Sequence, residues 1–77
     1  MTRTGVYPGT FDPVTFGHFD IIRRCCRLVD VLIVGVARYS GKDALFSPAR
    51  RAALIETHLE SLCGADAGKI RVAVMDG

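Results

Sequence analysis

The stretch that most constrains this chain runs from Tyr7 to Asp20, Y-P-G-T-F-D-P-V-T-F-G-H-F-D. It follows a short apolar segment, Gly5-Val6-Tyr7, and leads into a segment whose apolar residues recur at helical spacing. A chain that passes from a strand through such a loop into a helix turns backbone N–H groups toward one spot. The helix start adds the positive end of its dipole there. The stretch therefore predicts an anion site, with phosphate as the usual guest. Pro8 is expected to end the strand, having no N–H for a ladder. Gly9 permits a close backbone approach or a positive φ. Thr10 offers a hydroxyl that can donate to a phosphate oxygen. Asp12-Pro13 reads as a turn, with Asp12 forming an Asx-turn rather than acting in catalysis. Thr15 reads as the N-cap of the helix, which puts His18 at N3, facing the pocket the loop encloses. Gly17 leaves room for a ligand against the helix start.

Each of these residues taken alone has a plain structural explanation. A Pro-Gly-Thr loop is commonly just a turn, and a histidine in a first helical turn is commonly a capping or solvated residue. The order strand, Gly-Thr loop, Thr-x-Gly-His, helix is what points to chemistry.

Around this stretch the pattern predicts βαβαβ, an α/β fold forming half of a Rossmann-like, doubly wound parallel sheet. The first strand is expected over Thr4 to Tyr7. The first helix is expected to run to about Val29, burying Phe19, Ile22, Cys26 and Val29, with Ile21, Cys25 and Leu28 widening the stripe. Asp20, Arg23, Arg24 and Arg27 take its other face, and the i,i+4 spacing pairs Asp20 with Arg24. The run Val31 to Val36 fits a central parallel strand buried on both faces. Ala37 to Leu45 is a loop at the carboxyl end of that strand, where ligands bind in such sheets. It carries Arg38, Tyr39, Ser40 and Lys42. Lys42 is either an ordinary surface lysine or, beside the Gly-Thr-His loop, a charge partner for phosphate. Ser47 caps a second helix with Pro48 at N1, and Ala52, Ile55, Leu59 and Leu62 face inward. Gly64 ends that helix and a small-residue connection follows. Lys69 to Met75 forms a third strand, whose unpaired edge is an aggregation risk. His58 receives no role.

Composition sets outer limits. The chain has 77 residues, 49% of them hydrophobic, and a formal net charge of +2. It is globular in character, too mildly basic to imply nucleic acid, and has no apolar run long enough for a membrane span. No signal peptide is read at its start. A core this small is marginal without partners. Cys25, Cys26 and Cys63 have neither zinc-site nor redox-motif spacing and read as reduced thiols of a cytosolic protein. No metal-ligand set is read from the sequence.

The Thr-x-Gly-His motif after Gly-Thr-Phe-Asp-Pro resembles the nucleotidyltransferase superfamily, whose His-x-Gly-His motif has Thr first in one branch. The whole string from Tyr7 to Asp20 resembles the phosphopantetheine adenylyltransferases of bacterial coenzyme A biosynthesis. That resemblance implies transfer of the adenylyl group of ATP to 4′-phosphopantetheine, giving dephospho-coenzyme A and pyrophosphate, with Mg2+ accompanying ATP. It implies catalytic roles for Thr10, His18 and Lys42, ATP contacts at Thr10, Phe11, Gly17 and His18, and substrate contacts at Thr10 and Lys42. It also implies a cytoplasmic homo-oligomer, a hexamer in the full-length family. The family chain is about twice as long, on the scale of one ordinary domain, so residues 1–77 read as the N-terminal part of one nucleotidyltransferase domain with little turnover of its own. Where the family has acidic residues before an arginine in the second helix, this chain has Ala49-Arg50-Arg51. Arg50 replaces the N3 glutamate of a capping box, at an expected cost of a few tenths of a kcal/mol. A related cytidylyltransferase or mononucleotide adenylyltransferase, and a non-catalytic phosphate-binding module, are the alternative readings.

Overall fold

Strand β2 (Val31–Ala37) lies between β1 (Thr4–Gly9) and β3 (Ile70–Met75) in a three-stranded parallel sheet. The structure, a computed structural model, describes residues 2–38 and 45–76. Parallel neighbours need long crossovers, and helices α1 (Phe16–Cys26) and α2 (Pro48–Cys63) supply them. The expected βαβαβ order is therefore the observed one.

Register explains which face holds the core. Gly5, Leu32 and Ile70 form one row across the sheet, Tyr7, Val34 and Val72 the next, and Gly9, Val36 and Val74 a third. Leu32, Val34, Val36 and Ile70 join Phe19, Ile22 and Cys26 of α1 and Ile55, Leu59 and Cys63 of α2 in one buried cluster. Both helices thus cover the same face. The opposite rows, Val6–Ile33–Arg71 and Pro8–Gly35–Ala73, have no layer over them among the described residues. Val6 is 53% exposed, and β2 alternates half-buried with buried residues instead of being covered on both faces as its sequence suggests. Gly35 is buried on this side because the Met75 side chain lies over it: a Cβ there would collide with the Met75 Sδ.

Three boundaries differ from the sequence reading. Pro8 does not end β1; it sits within the strand, level with Gly35. The ladder tolerates it because β1 is an edge strand, paired with β2 alone among the described residues. Helix α1 stops at Cys26 and not near Val29. Its last turn tightens, with Arg27 and Leu28 N–H donating to the carbonyls of Arg24 and Cys25. Lys69 Nζ then satisfies the Cys26 carbonyl from outside the helix at 3.3 Å. With the helix ended, Leu28 is left 71% exposed and Ile21 also lies outside the core, so neither widens the buried stripe. The connection after α2 is a 3₁₀ turn over Gly64–Lys69, entered through Gly64 at φ 59°. Arg24 pairs with Asp20 at 3.1 Å on the solvent face of α1.

Candidate functional site

The loop from Thr10 to Thr15 joins the carboxyl end of β1 to the start of α1. Thr15 is the N-cap, as its position predicts, and its hydroxyl accepts the His18 amide at 3.3 Å. His18 returns the contact: the Thr15 amide donates to its Nδ1 at 2.9 Å. This is a capping box in which an imidazole takes the place usually held by glutamate or glutamine. Because Nδ1 accepts, the neutral ring carries its proton on Nε2. The helix start thus selects the tautomer that presents an N–H donor at the ring's far nitrogen.

Phe11 supports the other side of that ring. Its side chain is 1% exposed and makes edge-on contacts with Tyr7 and with His18, at centroid distances of 5.3 and 4.9 Å. Phe11, expected to contact ATP, has a side chain committed to the core, so its backbone is what it can offer a ligand. That ring also explains Gly9, where a Cβ would lie 2.9 Å from Phe11 Cζ. The close approach expected at Gly9 comes from the chain's own phenylalanine. The positive φ falls on Phe11 instead, at 52°. Left-handed backbone at a non-glycine residue costs roughly 1–2 kcal/mol.

Asp12 does not form the local Asx-turn its sequence suggests. Its carboxylate reaches across the molecule, accepting the Leu45 amide at 2.7 Å and the Phe46 amide at 3.0 Å. The Asp12–Pro13 peptide bond is cis. Gly17 faces open space: a Cβ there would meet only Thr15 Oγ1, at 3.6 Å. The protein's own atoms do not demand glycine at this position. Thr10 is exposed, and among the described residues its hydroxyl makes no hydrogen bond. Lys42, with Tyr39 and Ser40, lies outside the described residues.

Arg51 is a participant to which the sequence reading gave no site role. It is 1% exposed and has no carboxylate in ion-pair range among the described residues. Carbonyl oxygens surround its guanidinium. Nε donates to Phe46 at 3.1 Å, one terminal nitrogen to Thr10 at 2.6 Å and Ala37 at 2.8 Å, and the other to Arg38 at 3.4 Å. The signal was present in the sequence, since Arg51, Ile55 and Leu59 recur every four residues on one helical stripe.

The arrangement brings together Thr10, Phe11, Gly17 and His18 at the carboxyl end of a parallel sheet, where a helix N-terminus and loop amides favour an anion. Fold and loop define a Rossmann-like α/β unit whose strand-loop-helix turn lies at the carboxyl end of a parallel sheet. The chain belongs to the cytidylyltransferase-like family, whose model matches residues 6–65. It is 50% identical over 68 residues to a phosphopantetheine adenylyltransferase of Wolbachia pipientis wMel, covering 88% of this chain and 40% of that one. It is 60% identical over 57 residues to the enzyme of that name from Rhodospirillum centenum, covering 74% and 31%. With that of Rhizorhabdus wittichii it shares 45% identity over 74 residues, covering 96% and 45%. The chain therefore spans less than half the length of these curated relatives. Its fold matches the crystal structure of NadR protein in complex with NAD and AMP-PNP with a TM-score of 0.73 at 22% identity, over 99% of this chain and 21% of that one. Among the described residues no helix is long and apolar enough to cross a membrane.

Proposed function

We propose that this chain carries the nucleotide-binding loop of a phosphopantetheine adenylyltransferase, which transfers the adenylyl group of ATP to 4′-phosphopantetheine. The observation that carries the reading is the His18 ring, held by the Thr15 amide in the tautomer that presents Nε2–H. The relatives' shared name supports the choice of adenylyl transfer within the family.

In this reading a phosphate oxygen of 4′-phosphopantetheine attacks the α-phosphorus of ATP. A new phosphorus–oxygen bond forms, the bond to the bridging oxygen of the β-phosphate breaks, and pyrophosphate leaves. No covalent enzyme intermediate is needed. His18 Nε2–H and the Thr10 hydroxyl donate to the α-phosphoryl oxygens, and the Phe11 backbone and Gly17 line the nucleotide. Lys42 neutralises the attacking phosphate. Such chemistry asks the protein chiefly for positioning and charge stabilisation. Magnesium would ride on the nucleotide's phosphates, a common mode for this ion. Asp12, the loop's carboxylate, already accepts two amides, so no metal contact is assigned to it. A cytoplasmic location and homo-oligomeric assembly belong to the same proposal.

The test is pyrophosphate release from ATP, 4′-phosphopantetheine and magnesium, together with ATP titration followed at the Thr10, Phe11, Gly17 and His18 amides. ATP is expected to perturb those amides, while turnover by this chain alone is little or none. In a chain extended to the relatives' length, release is expected to fall by at least about a hundredfold in both His18→Ala and His18→Gln. The His18→Gln side chain keeps an acceptor for the Thr15 amide, so a folded variant of that kind with full activity overturns the role of the imidazole. Perturbations that avoid the loop overturn the site.

A further inference from the structure

Phe11 holds a left-handed backbone conformation that no glycine relieves. Such a residue persists only where its surroundings over-determine it, and such residues gather at binding sites. The bonds on either side of Phe11 show what does so here. On its N-terminal side, the Thr10 carbonyl is held by Arg51. On its C-terminal side, the Asp12 carboxylate holds the Leu45 and Phe46 amides. The two fastenings meet, because Arg51 also holds the Phe46 carbonyl and the carbonyls of Ala37 and Arg38. Three backbone segments, at 10–12, 37–38 and 45–46, are thereby tied into one unit by two side chains from different elements.

The charges fit this task. The carboxyl ends of parallel strands present carbonyl oxygens, an unfavourable neighbourhood for an anion. Arg51 occupies the Thr10 and Ala37 carbonyls at the ends of β1 and β2 and adds a buried positive charge. A planar fork with five donors can serve such spread acceptors at once, and a lysine ammonium cannot.

We propose that Arg51 and Asp12 are the positioning residues of the phosphate loop, clamping Thr10, Phe11 and Asp12 in the strained shape that receives an anion. This rests on the reading that the loop takes the phosphates of ATP. Neither residue touches the ligand; each acts through the backbone it holds.

The experiment compares the whole chain with Arg51→Lys and Asp12→Asn by amide hydrogen exchange and by ATP titration in magnesium. In Arg51→Lys, the Leu45 and Phe46 amides are expected to exchange about tenfold faster. ATP affinity is expected to fall by about tenfold. The Thr15 and His18 amides of the α1 cap and the β1–β2 ladder keep their protection. In Asp12→Asn, which retains one acceptor oxygen, one of the two amides is released and affinity falls by about threefold. Acceleration spread evenly over strands and helices would reduce Arg51 to general core support and overturn the proposal. So would faster exchange at Leu45 and Phe46 with ATP affinity unchanged. If Arg51→Lys does not fold, Asp12→Asn decides by the same two readouts. A wild-type chain that binds no ATP overturns the functional reading; the exchange pattern then decides the clamp by itself.

Discussion

Helix α1 begins at Thr15 and α2 at Ser47, and each cap hydroxyl accepts the amide of the residue three positions on. From there the two helix starts diverge. At α1 the N3 residue, His18, turns back to accept the cap's own amide, closing the box. At α2 the N3 residue is Arg50, exposed, with no acceptor to return. The next residue, Arg51, points the other way and is buried against the loop of the first unit. One helix start therefore stabilises itself and fixes a ring, whereas the other gives up its own closure and stabilises its neighbour. The difference teaches that two helix starts at the same carboxyl end of the sheet divide the work, α2 holding the shape of the neighbouring loop while α1 holds its own first turn. At α1 a single bond serves both.

That comparison can be broken most directly at the caps. Thr15→Ala and Ser47→Ala are each expected to cost about 1 kcal/mol in urea denaturation. Adding His18→Ala to the first is expected to cost about 0.5–1 kcal/mol more, the net worth of one hydrogen bond. Adding Arg50→Ala to the second should change nothing measurable. Equal costs for the two double variants would mean that the imidazole bond adds no stability, and the contrast between the helix starts would collapse to one of chemistry alone.

At their far ends the helices are alike, and pH sharpens that likeness. Cys26 lies in the last turn of α1 and Cys63 in the last turn of α2, both buried. Burial pushes both thiols up, and the nearby Asp66 carboxylate pushes in the same direction. A group whose folded-state pKa is raised keeps its proton after the unfolded chain has lost it, so the folded state binds more protons in that interval. Its contribution is fully present below the ordinary thiol range and is lost as pH rises above it. Stability should therefore decline in alkaline solution, and Cys26→Ala with Cys63→Ala should flatten that decline while lowering stability at neutral pH. A slope unchanged in the double variant would assign it elsewhere, Tyr7 being the next candidate because burial also raises its phenol.

Much of this was legible in the residue order. Short apolar runs placed the three strands and helical spacing the two α-helices, and the caps at Thr15 and Ser47, the N3 position of His18 and the Gly64 stop all follow from local rules. What stayed hidden depends on distant partners. Asp12 looks like a turn former because its amide partners are more than thirty residues away. Arg51 receives no site role from the residue order, because the carbonyls it holds lie on distant segments, although its place on the Ile55–Leu59 stripe points inward. At the early end of α1 the Cys26 carbonyl is taken up by Lys69, a residue beyond the second helix. The continuous apolar run of β2 also suggests that it is covered on both faces, but a run of residues cannot say which elements supply the two layers.

The smallest effect concerns Arg50 and separates two reasons for a weak helix start. Arg50→Glu should add a few tenths of a kcal/mol, by returning an acceptor to the Ser47 amide and by placing a negative charge against the dipole. Arg50→Gln returns the acceptor without the charge. If the missing bond is what distinguishes α2 from α1, the glutamine variant recovers most of the gain and salt leaves it intact. If the dipole is what matters, the glutamate variant exceeds it and the excess fades as salt screens it. The first outcome would make α2 a copy of α1 that lacks one bond. The second would make Arg50 a charge set against the dipole of its own helix.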